Sequence, residues 1–356
     1  MIVFYMDYFR EMKEVSDKVD IAIGKLISEE GYKDFNLRDI FEKRKGHPKM
    51  RPYLTQLSFE LCKGSGDISE VNALSEINNL HLYLDNWIFD NKNNVWDSKN
   101  IQQVISEINI NNQVYEELTD VLISRLNLTP KKELAIRKEF DKQVIACYNG
   151  QKIDLRTNMK MINDFKTDEE FISFYSKKCE LLSGDAYGLS AWLGAFMANS
   201  SEKQIKRLYD FGKMLGTGLH MSNDLGDFAL LNTKSTLKSY QDQMSDLINS
   251  RLTLPIYYVL RYGSPEQKRV FLSIEKKKRS SSQREKTMAS RIVMESGAYK
   301  FSFKIIKQYW IKSKRFLHTN FPKSITRDKL SYLTSIIKSN KYLYALRSKK
   351  GIERNI

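Results

Sequence analysis

Apolar residues recur at intervals of three and four through almost the whole chain, which is the spacing of a helix face. Phe301, Ile305, Ile306 and Tyr309 fall on one side of such a helix. Ala191, Trp192, Phe196, Met197 and their neighbours leave almost no polar face and predict a fully buried helix. No convincing series of alternating apolar and polar positions predicts strands, and no strand–helix–strand rhythm appears. Turn-forming clusters at Gly46-His47-Pro48, Lys63–Asp67, Asp90–Lys99, Leu128–Lys131, Gly263-Ser264-Pro265, Ser280–Gln283 and Asn320–Ser324 divide the chain into about ten helices. With no fixed-period repeat and no linker rich enough to separate domains, the pattern predicts one all-α domain over residues 1–356.

Composition supports that architecture. Hydrophobic residues make up 41% of the 356 and charged residues 28%, enough for a sizeable core in a globular protein. Only 16 Gly and 6 Pro argue against a turn-rich sandwich, a collagen or a disordered linker protein. Cys62, Cys147 and Cys179 show no paired spacing and the four His no HExxH, which argues against a disulfide framework and a cysteine-based zinc site. Asp7 and Arg10 interrupt the opening apolar run too early for a signal peptide, and the stretch from Gly188 to Ala198 is far short of a membrane span. The expected location is cytoplasmic.

Charge changes the picture in one region. The net charge is +15, yet residues 261–356 hold 25 Lys and Arg against 6 Asp and Glu, a net of +19. Residues 1–260 hold 33 against 37. Solvated helix faces account for such an excess, and attraction of this C-terminal quarter to an anionic membrane surface is the alternative. No nucleic-acid-binding motif accompanies it, so no nucleic-acid partner is expected.

Glycine-rich phosphate loops and nucleophile elbows are absent from the sequence. The chemistry-bearing residues are carboxylates and amides inside apolar helices. One set lies in Leu84-Asp85-Asn86-Trp87-Ile88-Phe89-Asp90, the other in Met221-Ser222-Asn223-Asp224-Leu225-Gly226-Asp227-Phe228. Asn86 and Asp90, and again Asn223 and Asp227, are four apart and share a helix face. Oxygen ligands so placed suit Mg²⁺ bridging to a phosphate-bearing substrate; a helix terminus or a solvated acidic face is the plainer reading.

Several motifs in order resemble the polyprenyl synthetase family. Phe211-Gly212-Lys213-Met214-Leu215-Gly216 is similar to its FG(x)LG, His220 to Phe228 to the end of FQxxDDxxD, and Ser250-Arg251-Leu252-Thr253-Leu254-Pro255 to GKxTLP. Lys49-Met50-Arg51-Pro52 resembles a shortened KxxRP element, Gly150-Gln151-Lys152-Ile153-Asp154-Leu155 the GQxxDL element, and Glu295-Ser296-Gly297-Ala298 a late helix start. Glu76 stands ten residues before Asn86, as in the helix leading to the family's first DDxxD. The resemblance implies a helical bundle of the class I isoprenoid synthase fold around a deep apolar cavity. Two acid-rich helices would face each other across its mouth and hold an allylic prenyl diphosphate through Mg²⁺. The metals would draw off the diphosphate, and dry walls would protect the resulting carbocation.

Carried over residue by residue, the resemblance implies metal ligation by Asp85, Asn86, Asp90, Asn223, Asp224, Asp227 and Asp154. It implies diphosphate binding by Lys49, Arg51, Lys238, Arg251 and Gln151, and catalytic roles for Asp90, Asn223, Asp227 and His220, the last as a cation-facing or proton-accepting group. Departures are plain. The first motif reads Asn86-Trp87-Ile88-Phe89-Asp90 without gaps, and taking Asp85 as first ligand puts Phe89 last. Asn223 replaces the first acid of the second motif, and the Arg pair after the first motif is missing. The mid-chain KT pair aligns with Leu182-Ser183, and Lys178-Cys179 reaches it only across four inserted residues. A prenyltransferase making linear prenyl diphosphates or serving another acceptor is the first expectation. A class I terpene synthase is the alternative, and a non-catalytic subunit of a heteromeric synthase a further one. By resemblance the chain forms a homodimer.

Overall fold

The computed structural model describes residues 2–35, 37–90, 95, 98–228 and 244–339. Fifteen α-helices run through them: α1 (Ile2–Leu26), α2 (Arg38–Arg44), α3 (Met50–Leu61), α4 (Ser69–Phe89), α5 (Ile101–Arg125), α6 (Pro130–Arg156), α7 (Asp168–Cys179), α8 (Asp185–Met197), α9 (Glu202–Gly226), α10 (Ser245–Ile248), α11 (Leu254–Tyr262), α12 (Pro265–Lys277), α13 (Gln283–Glu295), α14 (Ala298–Asn320) and α15 (Ile325–Ser339). No strand occurs among the described residues; the nearest approach is one isolated antiparallel bridge, Asn158 to Arg251. The all-α expectation holds.

Among the described residues, each of the seven predicted breaks meets a helix boundary, four of them overlapping a helix by one or two residues. A serine in each of two of them shows why: Ser264 and Ser282 form capping boxes with Gln267 and Glu285, each satisfying backbone N–H groups that a helix start leaves open. The count of about ten was low because other breaks carry no Gly-Pro cluster. The chain leaves α8 through Asn199 in the left-handed region, and leaves α13 through Gly297 at φ 96°. Between α6 and α7 it runs through a 3₁₀ turn and restarts at Thr167, whose side chain accepts from the Glu170 N–H.

The chain divides into two compact units, and no single cut in the sequence separates them. Unit 1 comprises Met1–Val144, Tyr187–Gly212 and Asn320–Leu330. Its core joins Val19, Ile23 and Leu26 of α1 to Leu74, Ile77 and Leu80 of α4 and Tyr115, Leu118 and Leu122 of α5. The buried polar residues of α4 find partners on four other helices. Asn72 donates to Gln56 of α3 at 2.9 Å, Glu76 accepts from Arg44 of α2 at 2.6 Å, Asn78 donates to Gln143 of α6 at 2.7 Å, and Asp85 accepts from Asn112 of α5 at 2.7 Å. Such pairing offsets the cost of burying these groups and fixes the helix's rotation.

Unit 2 comprises Ile145–Ala186, Lys213–Thr319 and Ser331–Ile356. Phe171 of α7 stacks on Tyr257 of α11 with ring centroids 3.9 Å apart, and Phe228 stacks on Phe271 of α12. The predicted face of α14 is inward: Ile305 and Ile306 are buried, Phe301 and Tyr309 partly so. Lysines 300, 304, 307, 312 and 314 of α14 are exposed, so much of the basic excess there is solvated. Directly after α7 the chain makes a π-helical turn, Glu180–Gly184. Glycines let its neighbours approach. A Cβ at Gly150 of α6 would sit 2.8 Å from Leu181 Cβ, and one at Gly184 would sit 2.6 Å from the Thr217 hydroxyl and 3.0 Å from the Lys213 carbonyl, both on α9. Gly184→Ala should therefore cost about 1–3 kcal/mol in overpacking strain, read as a lower thermal midpoint.

Candidate active site

The second acid motif lies on the last turn of α9 and just beyond it, in unit 2. Asn223 is exposed and Asp224 half-buried, while Asp227 is buried. Asp227 Oδ2 accepts from the backbone N–H of Asp246 at 3.2 Å, so it braces the start of α10. Asp224 has two faces. Oδ2 accepts the Tyr175 hydroxyl of α7 at 2.5 Å, and Oδ1 lies 3.7 Å from Nε2 of His220, one helical turn earlier. That partnership and burial raise the Tyr175 phenol well above its ordinary range, burial being the larger cause.

Beside this acid stands a buried charge cluster. Asp154 of α6 binds Lys178 Nζ of α7 through Oδ1 at 2.6 Å and faces Arg251 Nε through Oδ2 at 3.1 Å. Arg251 also donates to the Asp154 carbonyl at 3.0 Å. Burial pushes the Asp154 carboxyl up, but Lys178 and Arg251 together outweigh it and hold the group below the usual carboxylate range. Burial pulls Lys178 down, and Asp154, Cys179 and Asp224 more than reverse it, so the ammonium is held above its ordinary value. The position of Arg251 is locally determined: its backbone bridges to Asn158, and the Met159 N–H donates to the Ser250 carbonyl at 3.0 Å. Gln151 is buried on α6, three residues before Asp154 and thus on nearly the same face. Unit 2 therefore brings together Asp154, Arg251, His220 and Asp224 from the sequence-derived set. Lys238 lies outside the described residues.

Lys178, Tyr175 and Cys179 were not among the residues the motifs assigned. The offset of four residues between Lys178 and the aligned Leu182 is the signal that was available. The π turn at Glu180–Gly184 adds one residue to a helical turn and so supplies part of that offset.

In unit 1, Asn86 is half-buried near the end of α4, and Asp90 is the residue that caps it, its N–H bonded to the Asn86 carbonyl at 3.0 Å. Asp85 is buried and turned to α5, as its bond to Asn112 shows. Lys49 is buried too. Its ammonium forms an ion pair with Asp20 Oδ1 at 2.7 Å and donates to the Arg44 and His47 carbonyls at 3.0 and 3.1 Å. Arg51 is partly exposed, with its guanidinium 5.4 Å from the Tyr187 ring centre. The Tyr187 phenol is raised by burial, against the lowering influence of Arg51 and Arg44. Lys49→Ala would strand the buried Asp20 carboxylate and should cost about 3–5 kcal/mol of stability in urea unfolding.

Magnesium takes oxygen ligands, keeps several waters, and needs only one or two protein carboxylates when substrate phosphates complete its shell. The donor chemistry here fits that requirement: Asp224 with Asn223 in unit 2, and Asp90 with Asn86 in unit 1.

A sequence model described as polyprenyl synthetase matches residues 88–293, more than half the chain. The chain belongs to the polyprenyl synthetase family. The matched span includes Asp90, Asp154, Asp224, Asp227 and Arg251, whereas Lys49 and Arg51 precede it. An octaprenyl diphosphate synthase of Haemophilus influenzae is 31% identical over 108 residues, a stretch that is 30% of each chain and so under a third of that relative's length. A short chain isoprenyl diphosphate synthase of Methanocaldococcus jannaschii is 26% identical over 236 residues, 64% of this chain and 67% of that one. Among solved structures, a polyprenyl synthase of Caulobacter crescentus, complexed with calcium and isoprenyl diphosphate, superposes with a TM-score of 0.75 at 16% identity, covering 94% of this chain and 97% of that one. A geranylgeranyl pyrophosphate synthetase of Pyrococcus horikoshii gives 0.70 at 20% identity, covering 94% and 98%. The fold is the all-α class I isoprenoid synthase fold.

Proposed function

We propose that the chain is a prenyltransferase of isoprenoid biosynthesis that ionises an allylic prenyl diphosphate with Mg²⁺ and joins the prenyl cation to an acceptor. The observation that carries this reading is the grouping in unit 2 of two half-buried carboxylates, Asp224 and Asp154, with the buried cations Lys178 and Arg251. When bound, magnesium would supply Lewis-acid stabilisation of the departing diphosphate.

The chain's own residues do the rest. Asp224, with Asn223 on the same turn, would hold the metal in unit 2; the donors of the first motif are Asp90 and Asn86. Tyr175 fixes the Asp224 rotamer through its hydroxyl, so the carboxylate keeps one oxygen for the metal. Lys178 and Arg251 keep a net positive charge beside Asp154 that favours an anionic leaving group. Arg51 supplies a forked guanidinium suited to a second diphosphate. Lys49, paired with Asp20 and bonded to the Arg44 and His47 carbonyls, braces the segment that carries Arg51.

Incubation of the purified chain with isopentenyl diphosphate, an allylic diphosphate and Mg²⁺ should yield a longer prenyl diphosphate on extraction. A hydrocarbon or alcohol from the allylic substrate alone would overturn the acceptor assignment in favour of a terpene synthase. A second reading draws on one observation: Asp85 is spent on Asn112, leaving Asp90 as the first motif's remaining acid. On that reading the chain is the non-catalytic subunit of a heteromeric synthase, and product forms only when an active homologue is added.

A further inference from the structure

Sequence spacing argues against a cysteine-based metal site, yet folding creates a candidate. Cys179 ends α7, and His220 and Asp224 stand one turn apart on α9. One donor atom from each of the three lies within 4.8 Å of the others, a grouping of sulfur, imidazole and carboxylate found nowhere else among the described residues. His220 and Asp224 share a helix face because they are four apart, and their donor atoms are already 3.7 Å from each other. A tetrahedral zinc ion, with bonds of about 2.0 Å to nitrogen and oxygen and about 2.3 Å to sulfur, spaces its ligand atoms about 3.5 Å apart. Closing the trio around an ion thus needs a shift of about 1 Å, within the reach of side-chain torsions.

We propose that Cys179 Sγ, His220 Nε2 and Asp224 Oδ1 form a site for a late first-row divalent cation, Zn²⁺ or Co²⁺, distinct in ligand chemistry from an all-oxygen magnesium site. Softer thiolate and imidazole donors select such ions over magnesium. Three protein ligands leave the fourth tetrahedral position open to water or a phosphate oxygen. The Tyr175 hydroxyl holds the other oxygen of Asp224 at 2.5 Å, so the carboxylate is oriented in advance. Lys178 is a repulsive neighbour, but Asp154 neutralises it at 2.6 Å. The π turn beginning at Glu180 follows Cys179 directly, and such turns in helices are frequent at functional sites. Burial, then Asp224, keeps the Cys179 thiol well above its ordinary range, so without metal it stays protonated. Metal binding replaces that proton, which leaves to water: one S–H bond is broken, one S–metal bond is formed, and nothing is oxidised. The ion takes the Asp224 carboxylate that the magnesium reading also uses.

Titration of the metal-stripped full chain with Co²⁺, in the absence of any diphosphate, tests the site independently of the proposed reaction. One Co²⁺ per chain should produce a thiolate-to-cobalt charge-transfer band and the visible bands of tetrahedral cobalt. Zn²⁺ should abolish both, and excess Mg²⁺ should abolish neither. Cys179→Ala should remove the charge-transfer band while Cys62 and Cys147 remain. His220→Gln, at a partly exposed position, should weaken cobalt affinity by about tenfold or more with the helical circular dichroism unchanged. Absence of a thiolate band in the unaltered chain, or its persistence in Cys179→Ala, would overturn the proposal.

Discussion

Asp224→Asn is expected to lower kcat/KM for the allylic diphosphate by about a thousandfold at saturating Mg²⁺, roughly 4 kcal/mol of transition-state stabilisation. The size follows from how few charges the second motif retains. Asn223 carries none, and Asp227 is buried and committed to the Asp246 N–H at 3.2 Å. Asp224 is the less buried of the motif's two acids. The amide is isosteric and its oxygen still accepts from Tyr175, so the change removes charge with little change in packing. Asp227→Asn makes the useful comparison. It should act mainly on stability, by about 1–2 kcal/mol through the weakened hydrogen bond, with a smaller kinetic effect. Steady-state kinetics alongside urea unfolding separates the two residues; retention of activity within tenfold in Asp224→Asn contradicts the role given to it.

Asp154→Ala should cost about 3–5 kcal/mol of folding stability, because it leaves Lys178 and Arg251 as adjacent buried cations with their shared partner gone. Converting Lys178 to Met in the same chain should restore part of the loss, since the uncompensated charge is then reduced. The pH dependence has a definite sign. The Asp154 carboxyl is depressed by Lys178 and Arg251 against the opposing effect of burial, so its contribution is present above the unfolded carboxylate value of about 3.9 and is lost as pH falls through the lower folded value. Lys178 is raised by Asp154, again against burial, so its contribution is complete below the unfolded lysine value of about 10.4 and fades as pH rises through the higher folded value. Urea midpoints across pH should show an acid limb that Asp154→Ala flattens.

The helical architecture was legible because periodicity and the scarcity of Gly and Pro carry over directly into helices. The breaks at Ser264 and Ser282 were legible for a local reason, the capping serine with its partner three residues on. The break after α6 was not, because its stop is made by tertiary pairing of Asn158 with Arg251. Motif spacing pointed to Asp154, Asp224 and Arg251, which unit 2 brings together. It did not assign Lys178, which stands four residues from the ungapped alignment, and it gave Lys49 a substrate role; inside unit 1 the Lys49 ammonium pairs with Asp20 and donates to the Arg44 and His47 carbonyls. Cys179 was unreadable as a ligand: its neighbours His220 and Asp224 lie 41 and 45 residues further along the chain.

A prenyltransferase of this kind breaks the carbon–oxygen bond of an allylic diphosphate. The most direct test of the proposed function is release of inorganic diphosphate from an allylic prenyl diphosphate, measured with isopentenyl diphosphate present and with Mg²⁺ supplied or chelated. Release should equal one diphosphate for each isopentenyl unit added to product, stop when Mg²⁺ is chelated and fall sharply in Asp224→Asn. No release from allylic diphosphates of any chain length, with or without a homologous partner subunit, would contradict the proposed function.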